Sequence, residues 1–191
     1  MSLWLDCLRH GETERGGGFR GWLDDALTDT GWEQMRAAVE KGGPWQRIVS
    51  SPLQRCARFG EALAAEHGLP LHLEPDLREL HFGAWEGRSA IELMDTDADG
   101  LGAFWADPYG FTPPNGEHVT DFATRVSDAV RRLQRRHDGE RVLLITHGGV
   151  MKLLLAEARG LPREHLLQVE VPHAARIRLR VDADRMLSEE A

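Results

Sequence analysis

The sequence predicts an α/β fold on a mostly parallel sheet, and three observations predict it. Short apolar runs that read as strands alternate with longer stretches whose apolar residues recur at helical spacing. Residues 142–146 (Val-Leu-Leu-Ile-Thr) are apolar almost throughout, as expected of a central strand covered on both faces. Two histidines, His10 and His147, each stand where such a run gives way to glycine. That junction is where open parallel sheets place their ligands.

Residues 3–8 form the first strand, which ends in Arg9-His10-Gly11-Glu12-Thr13. Gly16-Gly17-Gly18 follows as a loop, with no Gly-Lys-Ser/Thr after it, so it is not a Walker phosphate loop. Thr28 caps a helix carrying Trp32, Met35, Ala38 and Val39, which Gly42-Gly43-Pro44 stops. Residues 47–50 are a second strand. Ser51-Pro52 then opens a helix from 52 to 67, with Arg55 in its first turn. A cation there opposes the helix dipole unless an anion sits at the same place.

Residues 71–73 are a third strand. From Asp76 to about Glu117 the chain reads as a long irregular segment holding six of the thirteen aromatics: Phe82, Trp85, Phe104, Trp105, Tyr109 and Phe111. Such a segment is a lid or binding element, or a cap whose aromatics pack on one another. A helix from about 117 to 136 carries Val119, Phe122, Val126, Val130 and Leu133 on one stripe, with Arg131, Arg132, Arg135 and Arg136 as its solvated basic end. After the central strand a helix runs from 150 to 159. Residues 166–171 and 175–181 read as two last strands turning at Pro172-His173, and the tail after Asp182 as frayed.

A chain of 191 residues suggests one domain, or one domain with an inserted cap. A net charge of −8 argues against a protein that grips nucleic acid, yet leaves room for a local Arg/His cluster that holds a small anion. Cys7 and Cys56 lack metal-site spacing and read as free thiols of a reducing cytosol. No apolar run approaches the roughly 18 residues that span a membrane. Asp6 and Arg9 come too early for a secretory signal. A cytoplasmic protein without membrane or nucleic-acid partners is therefore expected.

In a parallel sheet Arg9, His10, Arg55 and His147 share one rim. Two guanidinium groups and two imidazoles fit a phosphoryl group, whose oxygens need several donors at once. Backbone amides at Gly11 and Gly148 can add to them. Neutral His10 can act as a nucleophile, and two nearby arginines disfavour its protonated form. Glu79 is the candidate acid and base, with Glu12, Glu86 and Glu117 as alternatives. Two histidines and a glutamate could also ligate a metal, but adjacent arginines repel a cation, and no His-Glu-x-x-His motif or carboxylate run is present.

Arg9-His10-Gly11-Glu12-Thr13, Ser50-Ser51-Pro52-Leu53-Gln54-Arg55, the stretch from Leu77-Arg78-Glu79 to Trp85-Glu86-Gly87, and Thr146-His147-Gly148-Gly149 occur in that order. Together they resemble the histidine phosphatase superfamily, the phosphoglycerate mutase-like and acid phosphatase-like enzymes. The resemblance spans residues 3 to about 162. It implies a single domain over 1–191: a phosphoglycerate mutase-like three-layer α/β/α sandwich, with a helical or loop cap inserted at about 80–117. It implies that His10 becomes phosphohistidine, that Arg9, Arg55 and His147 bind the phosphoryl group, and that Glu79 protonates the leaving oxygen and then activates water. Thr13, Arg20, Gly21 and Gly148 join Arg9 and Arg55 as implied substrate-binding positions, with no metal and no cofactor. One departure stands out: many members carry Asn six residues after the nucleophile, where this chain has Gly16.

Phe19-Arg20-Gly21, Asp25-Ala26-Leu27-Thr28, the Leu80 to Gly87 stretch and Phe104-Trp105-Ala106-Asp107-Pro108 resemble more narrowly the α-ribazole phosphatase branch. That branch removes the 5′-phosphate of α-ribazole phosphate, or of its cobalamin-linked form, in cobalamin synthesis. An aromatic cap suits its planar base. The alternatives are a broad-specificity phosphatase of sugar phosphates or nucleotides and a phosphoglycerate mutase-type phosphotransferase. A dead phospho-ligand binder would be expected to lose His10 or Glu79, and a phosphohistidine protein phosphatase would be expected to lack the large cap. The expected partner is a small-molecule phosphomonoester. The oligomeric state stays open between monomer and homodimer.

Overall fold

The computed structural model describes residues 1–184 and 187–190. Its single sheet contains β1 (Leu3–Arg9), β2 (Arg47–Ser50), β3 (Leu71–Leu73), β4 (Arg141–Thr146), β5 (Arg176–Val181) and β6 (Leu187–Glu190), in the order β3-β2-β4-β1-β5-β6. The first four in that order are parallel, and β5 and β6 are antiparallel. Residues 142–146 do form the centre, with β1 and β2 on either side.

Strand alternation sends side chains to two cores. Leu8, Ile48, Leu143 and Ile145 meet Met35 of α1 (Asp29–Glu40) and Cys56, Phe59 and Leu63 of α2 (Gln54–His67). Leu5, Cys7, Val142 and Leu144 face the other way, toward α5 (Val119–Arg136) and α6 (Gly148–Ala158). The result is the expected three-layer α/β/α arrangement. Helix α5 is held by its stripe: Val119, Phe122, Val126, Val130 and Leu133 are all buried. At roughly 1.5–3 kcal/mol for each large apolar side chain, this burial rather than intrinsic propensity fixes the helix.

Thr28 caps α1 as expected, its side chain accepting from the Gly31 amide. Several expectations are corrected. Ser51 does not cap α2, which starts at Gln54 with Leu53 as N-cap; the Ser51 hydroxyl accepts from the Leu53 amide at 3.3 Å, just ahead of the helix, and also bonds His147. The segment read as irregular contains two helices, α3 (Ala90–Thr96) and α4 (Ala98–Ala106). A Ser89/Glu92 capping box starts the first, and Asp97 caps the second. Both are too short for a periodicity signal. Arg132 is not simply solvated: it pairs with Glu74 and Asp76.

Residues 166–171 are not a strand. A 3-10 turn, Arg163–Gln168, buries Leu166 while Val169 and Val171 follow as buried loop residues. The edge of β1 that such a strand would use is taken by β5. The tail is not frayed at 187–190, which pair antiparallel with β5. The part of that expectation falling on residues 185, 186 and 191 lies outside the described residues. No helix among the described residues is long and apolar enough to cross a membrane.

Candidate active site

The carboxyl ends of the four parallel strands converge on a cavity of about 290 Å³. From the end of β1 come Arg9 and His10, and from the first turn of α2 comes Arg55. Glu79 arrives from the coil beyond the 3-10 turn Pro75–Leu77, and His173 from the loop before β5. A larger cavity of about 800 Å³, bounded by α1, α2 and residues 42–45, holds none of the expected catalytic or substrate-binding residues.

His10 is almost wholly buried, and its Nδ1 lies 2.8 Å from the Gly11 carbonyl oxygen. A carbonyl can only accept, so Nδ1 carries the proton and Nε2 keeps its lone pair. Burial first, then Arg55 and Arg9, hold this imidazole well below the ordinary histidine range. The bond to Gly11 pulls the other way and is outweighed. His10 is therefore a neutral imidazole with one fixed tautomer and a free nitrogen.

Arg55 is completely buried. Its Nη atoms donate to the carbonyls of Leu23 and Gly21, each at 2.6 Å, and one lies 3.5 Å from Asp25. Arg9 donates from Nη1 to the Val171 carbonyl at 2.6 Å. The Nε–H groups of both arginines are buried and have no hydrogen-bond partner. Two unpaired buried guanidinium donors beside one cavity are expensive, because each forgoes a charge-assisted bond. An anion in the cavity would relieve that cost.

Of the four glutamates left open by the sequence, Glu79 lines this cavity and the other three do not. Glu12 accepts from Thr28, Glu86 from the amides of Trp22 and Phe82, and Glu117 from Arg125. The Glu79 carboxylate accepts from the amides of Leu80 and Gly149, both at 2.9 Å. The second bond sets it on the amino end of α6, where negative charge is favoured. A Cβ on residue 149 would collide with that carboxylate, so any larger residue there would push Glu79 off the helix end.

The other expected residues divide. His147 is fully buried and stands edge-on behind His10, ring centroids 5.4 Å apart, rather than lining the cavity. Its Nε2 shares a 2.7 Å hydrogen bond with Ser51 Oγ. Burial, then Arg55, His10 and Arg9, hold it well below the ordinary range. Thr13, Arg20 and Gly21 line the cavity. The Arg20 fork is turned inward onto the carbonyls of Arg15, Gly16 and Gly17, so it shapes the glycine loop. Gly21 contributes its carbonyl to Arg55, and Gly148 lies against the Arg9 guanidinium.

Sequence reasoning missed His173 and Ser51. The His173 ring stands 5.7 Å from that of His10. Pro172-His173 was visible only as a turn, and nothing local marks a residue 163 positions from its partner. A second cavity of about 400 Å³ adjoins the first, with Arg9, Phe19, Glu79 and Phe82 on the shared wall. Phe104, Trp105 and Phe122 make it apolar, and Lys152 brings a cation whose Nζ donates to the Leu167 carbonyl at 3.2 Å.

A nucleophilic nitrogen, unpaired guanidinium donors and a carboxylate around one small cavity suit transfer of a phosphoryl group. The family model of the histidine phosphatase superfamily (branch 1) matches residues 5–190. An adenosylcobalamin/alpha-ribazole phosphatase of Salmonella typhimurium is 32% identical over 175 residues, covering 90% of this chain and 86% of that one. A glucosyl-3-phosphoglycerate phosphatase of Mycolicibacterium vanbaalenii is 37% identical over 169 residues, covering 83% and 75%. The crystal structure of the alpha-ribazole phosphatase from Shigella flexneri superposes with a TM-score of 0.84 at 29% identity, covering 100% of this chain and 95% of that one. A match across nearly the whole length, on a sheet that gathers these residues at one rim, means that the chain belongs to the histidine phosphatase superfamily and is a hydrolase of phosphate monoesters.

Proposed function

We propose that the chain hydrolyses its phosphomonoester in two in-line steps at His10, and that its substrate is α-ribazole 5′-phosphate or the corresponding cobalamin 5′-phosphate. The observation that carries the mechanism is the pair of unpaired Nε–H groups of Arg9 and Arg55 beside a neutral, oriented His10. In the first step His10 Nε2 bonds to phosphorus as the bond to the leaving oxygen breaks. The electron pair stays on that oxygen, which takes the proton that Glu79 brings to the step as a carboxylic acid, leaving Glu79 as the carboxylate. Arg9 and Arg55 stabilise the charge spread over the equatorial oxygens. An anion in the cavity also offsets the pressure that keeps His147 neutral, and His147 backs His10 from behind the cavity. In the second step water attacks phosphohistidine while Glu79 takes its proton, releasing inorganic phosphate and restoring His10.

The substrate reading rests on the adjoining cavity and on the Salmonella and Shigella relatives. Residues 80–117 act as the cap, bringing Phe82, Phe104 and Trp105 to that wall, where a planar base can stack. Buried free thiols at Cys7 and Cys56 fit a cytoplasmic setting. Lys152 favours a second reading, in which the leaving group carries a carboxylate, as in glucosyl-3-phosphoglycerate. The test is phosphate release, with a chelator present, from α-ribazole 5′-phosphate, glucosyl-3-phosphoglycerate and ordinary sugar phosphates. A kcat/KM preference for α-ribazole phosphate is expected. Preference for the acidic ester transfers the assignment to the second reading, and equal turnover of all substrates discards both.

A further inference from the structure

Glu79 sits on backbone with no strand or helix to hold it. It lies between two 3-10 turns, Pro75–Leu77 and Gly83–Trp85, and the carbonyls around it have no ladder partners of their own. Side chains supply them: Thr146 Oγ1 holds the Leu77 carbonyl at 2.9 Å, and one guanidinium holds three more. The Arg125 guanidinium donates from Nη1 to the carbonyls of Asp76 and Arg78, at 2.7 and 2.8 Å, and from Nη2 to the carbonyl of Glu79 at 2.8 Å. Its remaining donors meet Glu117, Nε at 2.6 Å and Nη2 at 2.8 Å. All five N–H groups of the fork are therefore used.

Glu117 completes the grip. Its Oε2 accepts from the His81 amide at 3.2 Å, and its own amide donates to the His81 carbonyl at 2.8 Å. The pair thus holds residues 76–81 from both sides of Glu79. The anchor is rigid, because Arg125 projects from α5 between the buried Phe122 and Val126. A second donor, Trp22 Nε1, also reaches the Glu79 carbonyl at 2.8 Å. Neither Arg125 nor Glu117 lines the phosphoryl cavity or the aromatic one.

We propose that Arg125, paired with Glu117, is the positioning residue for Glu79, holding its carboxyl group where a leaving oxygen can take the proton. This rests on the role given above to Glu79. It goes beyond that role by assigning the precision of proton transfer to a half-buried ion pair outside the pocket. A merely structural arginine would affect every substrate alike. A positioning residue for the acid affects only leaving groups that need a proton. An alkoxide needs one, whereas p-nitrophenolate departs as a stable anion.

The experiment measures kcat/KM, which covers phosphoryl transfer to His10 and excludes the later water step. The substrates are p-nitrophenyl phosphate and two alkyl esters, ribose 5-phosphate and α-ribazole 5′-phosphate. Arg125→Lys keeps the charge but cannot make the five-point fork. It is expected to lower kcat/KM on the alkyl esters about 10- to 100-fold and to leave the aryl ester within about threefold. Glu117→Gln is expected to show the same selectivity more weakly, with orthovanadate affinity unchanged in both variants. Equal losses on both ester classes, no loss on either, or a parallel loss of vanadate affinity overturns the proposal. Glu79→Gln is run beside them. If it shows the alkyl-selective loss and the Arg125 variant does not, the clamp alone fails. If it shows no selectivity, the role of Glu79 fails beneath it.

Discussion

Replacing Arg55 separates its two contributions to the site, a charge and a directed fork. The charge is, after burial, the strongest influence keeping His10 and His147 neutral. The fork holds the Gly21 and Leu23 carbonyls and leaves one Nε–H unpaired beside the cavity. In Arg55→Gln both are lost. One preorganised donor is worth about 3–4 kcal/mol, so kcat/KM is expected to fall about 10²–10³-fold. Each orphaned carbonyl adds about 1–3 kcal/mol of lost stability. Without the nearby cation His10 protonates more readily, so the acid limb of the kcat/KM profile moves up toward the ordinary histidine value. Arg55→Lys keeps the charge and loses the fork. Its rate should fall comparably while its acid limb stays in place. The assay is kcat/KM against pH for the three proteins, with urea unfolding in parallel. A Gln variant within about threefold of wild type, with an unmoved acid limb, would refute this account of the phosphoryl site.

Three further outcomes are expected. Burial depresses both His10 and His147, so the unfolded chain binds protons that the folded chain refuses; stability present above about pH 6.5 is lost as pH falls, by up to about 2.7 kcal/mol per pH unit for two sites. Urea midpoints from pH 8 to 5 check this, a flat profile contradicts it, and saturating phosphate should reduce the slope. Buried Asp6 accepts from Arg178, Trp45 and Arg141; burial pushes its carboxyl up, these donors outweigh it, and it ends below its usual value. Asp6→Asn should therefore destabilise by about 3 kcal/mol at pH 7, a difference that shrinks below about pH 4, whereas an equal difference at both pH values would show that the charge is not responsible. Gly149→Ala places a Cβ against the Glu79 carboxylate. It should lower kcat/KM on alkyl phosphates about 10²-fold while folding remains cooperative, and unchanged activity would show that Glu79 need not rest on α6.

The rim was legible because local signals coincide with strand ends. Arg9 and His10 follow an apolar run, Arg55 falls where a cation would normally be disfavoured, and His147 ends the central strand. Glu79 is favoured by its place before the aromatic segment, but the reason to set aside Glu12, Glu86 and Glu117 was not legible, because it lies in how folding engages them with Thr28, Trp22 and Arg125. Ser51 looked like a helix cap, since Pro52 follows it and its 96-residue reach to His147 leaves no local mark. The same reason hides Arg125, which reads as one more polar position on a helix. Periodicity also misled at the end of the chain. Leu166, Val169 and Val171 suggest a strand, yet they bury from a 3-10 turn and loop because β5 already occupies the edge of β1. The short helices α3 and α4 are set by their caps, at Ser89 and Asp97, more than by apolar spacing.

The central claim is a covalent bond between His10 Nε2 and phosphorus. Rapid-quench mixing of the protein with ³²P-labelled substrate tests it most directly, followed by mapping of the labelled peptide. The account predicts an acid-labile, base-stable adduct on His10 that forms before inorganic phosphate appears and is absent from His10→Asn, which should also lose turnover. Phosphate release with no adduct on His10, or undiminished turnover by His10→Asn, would contradict it.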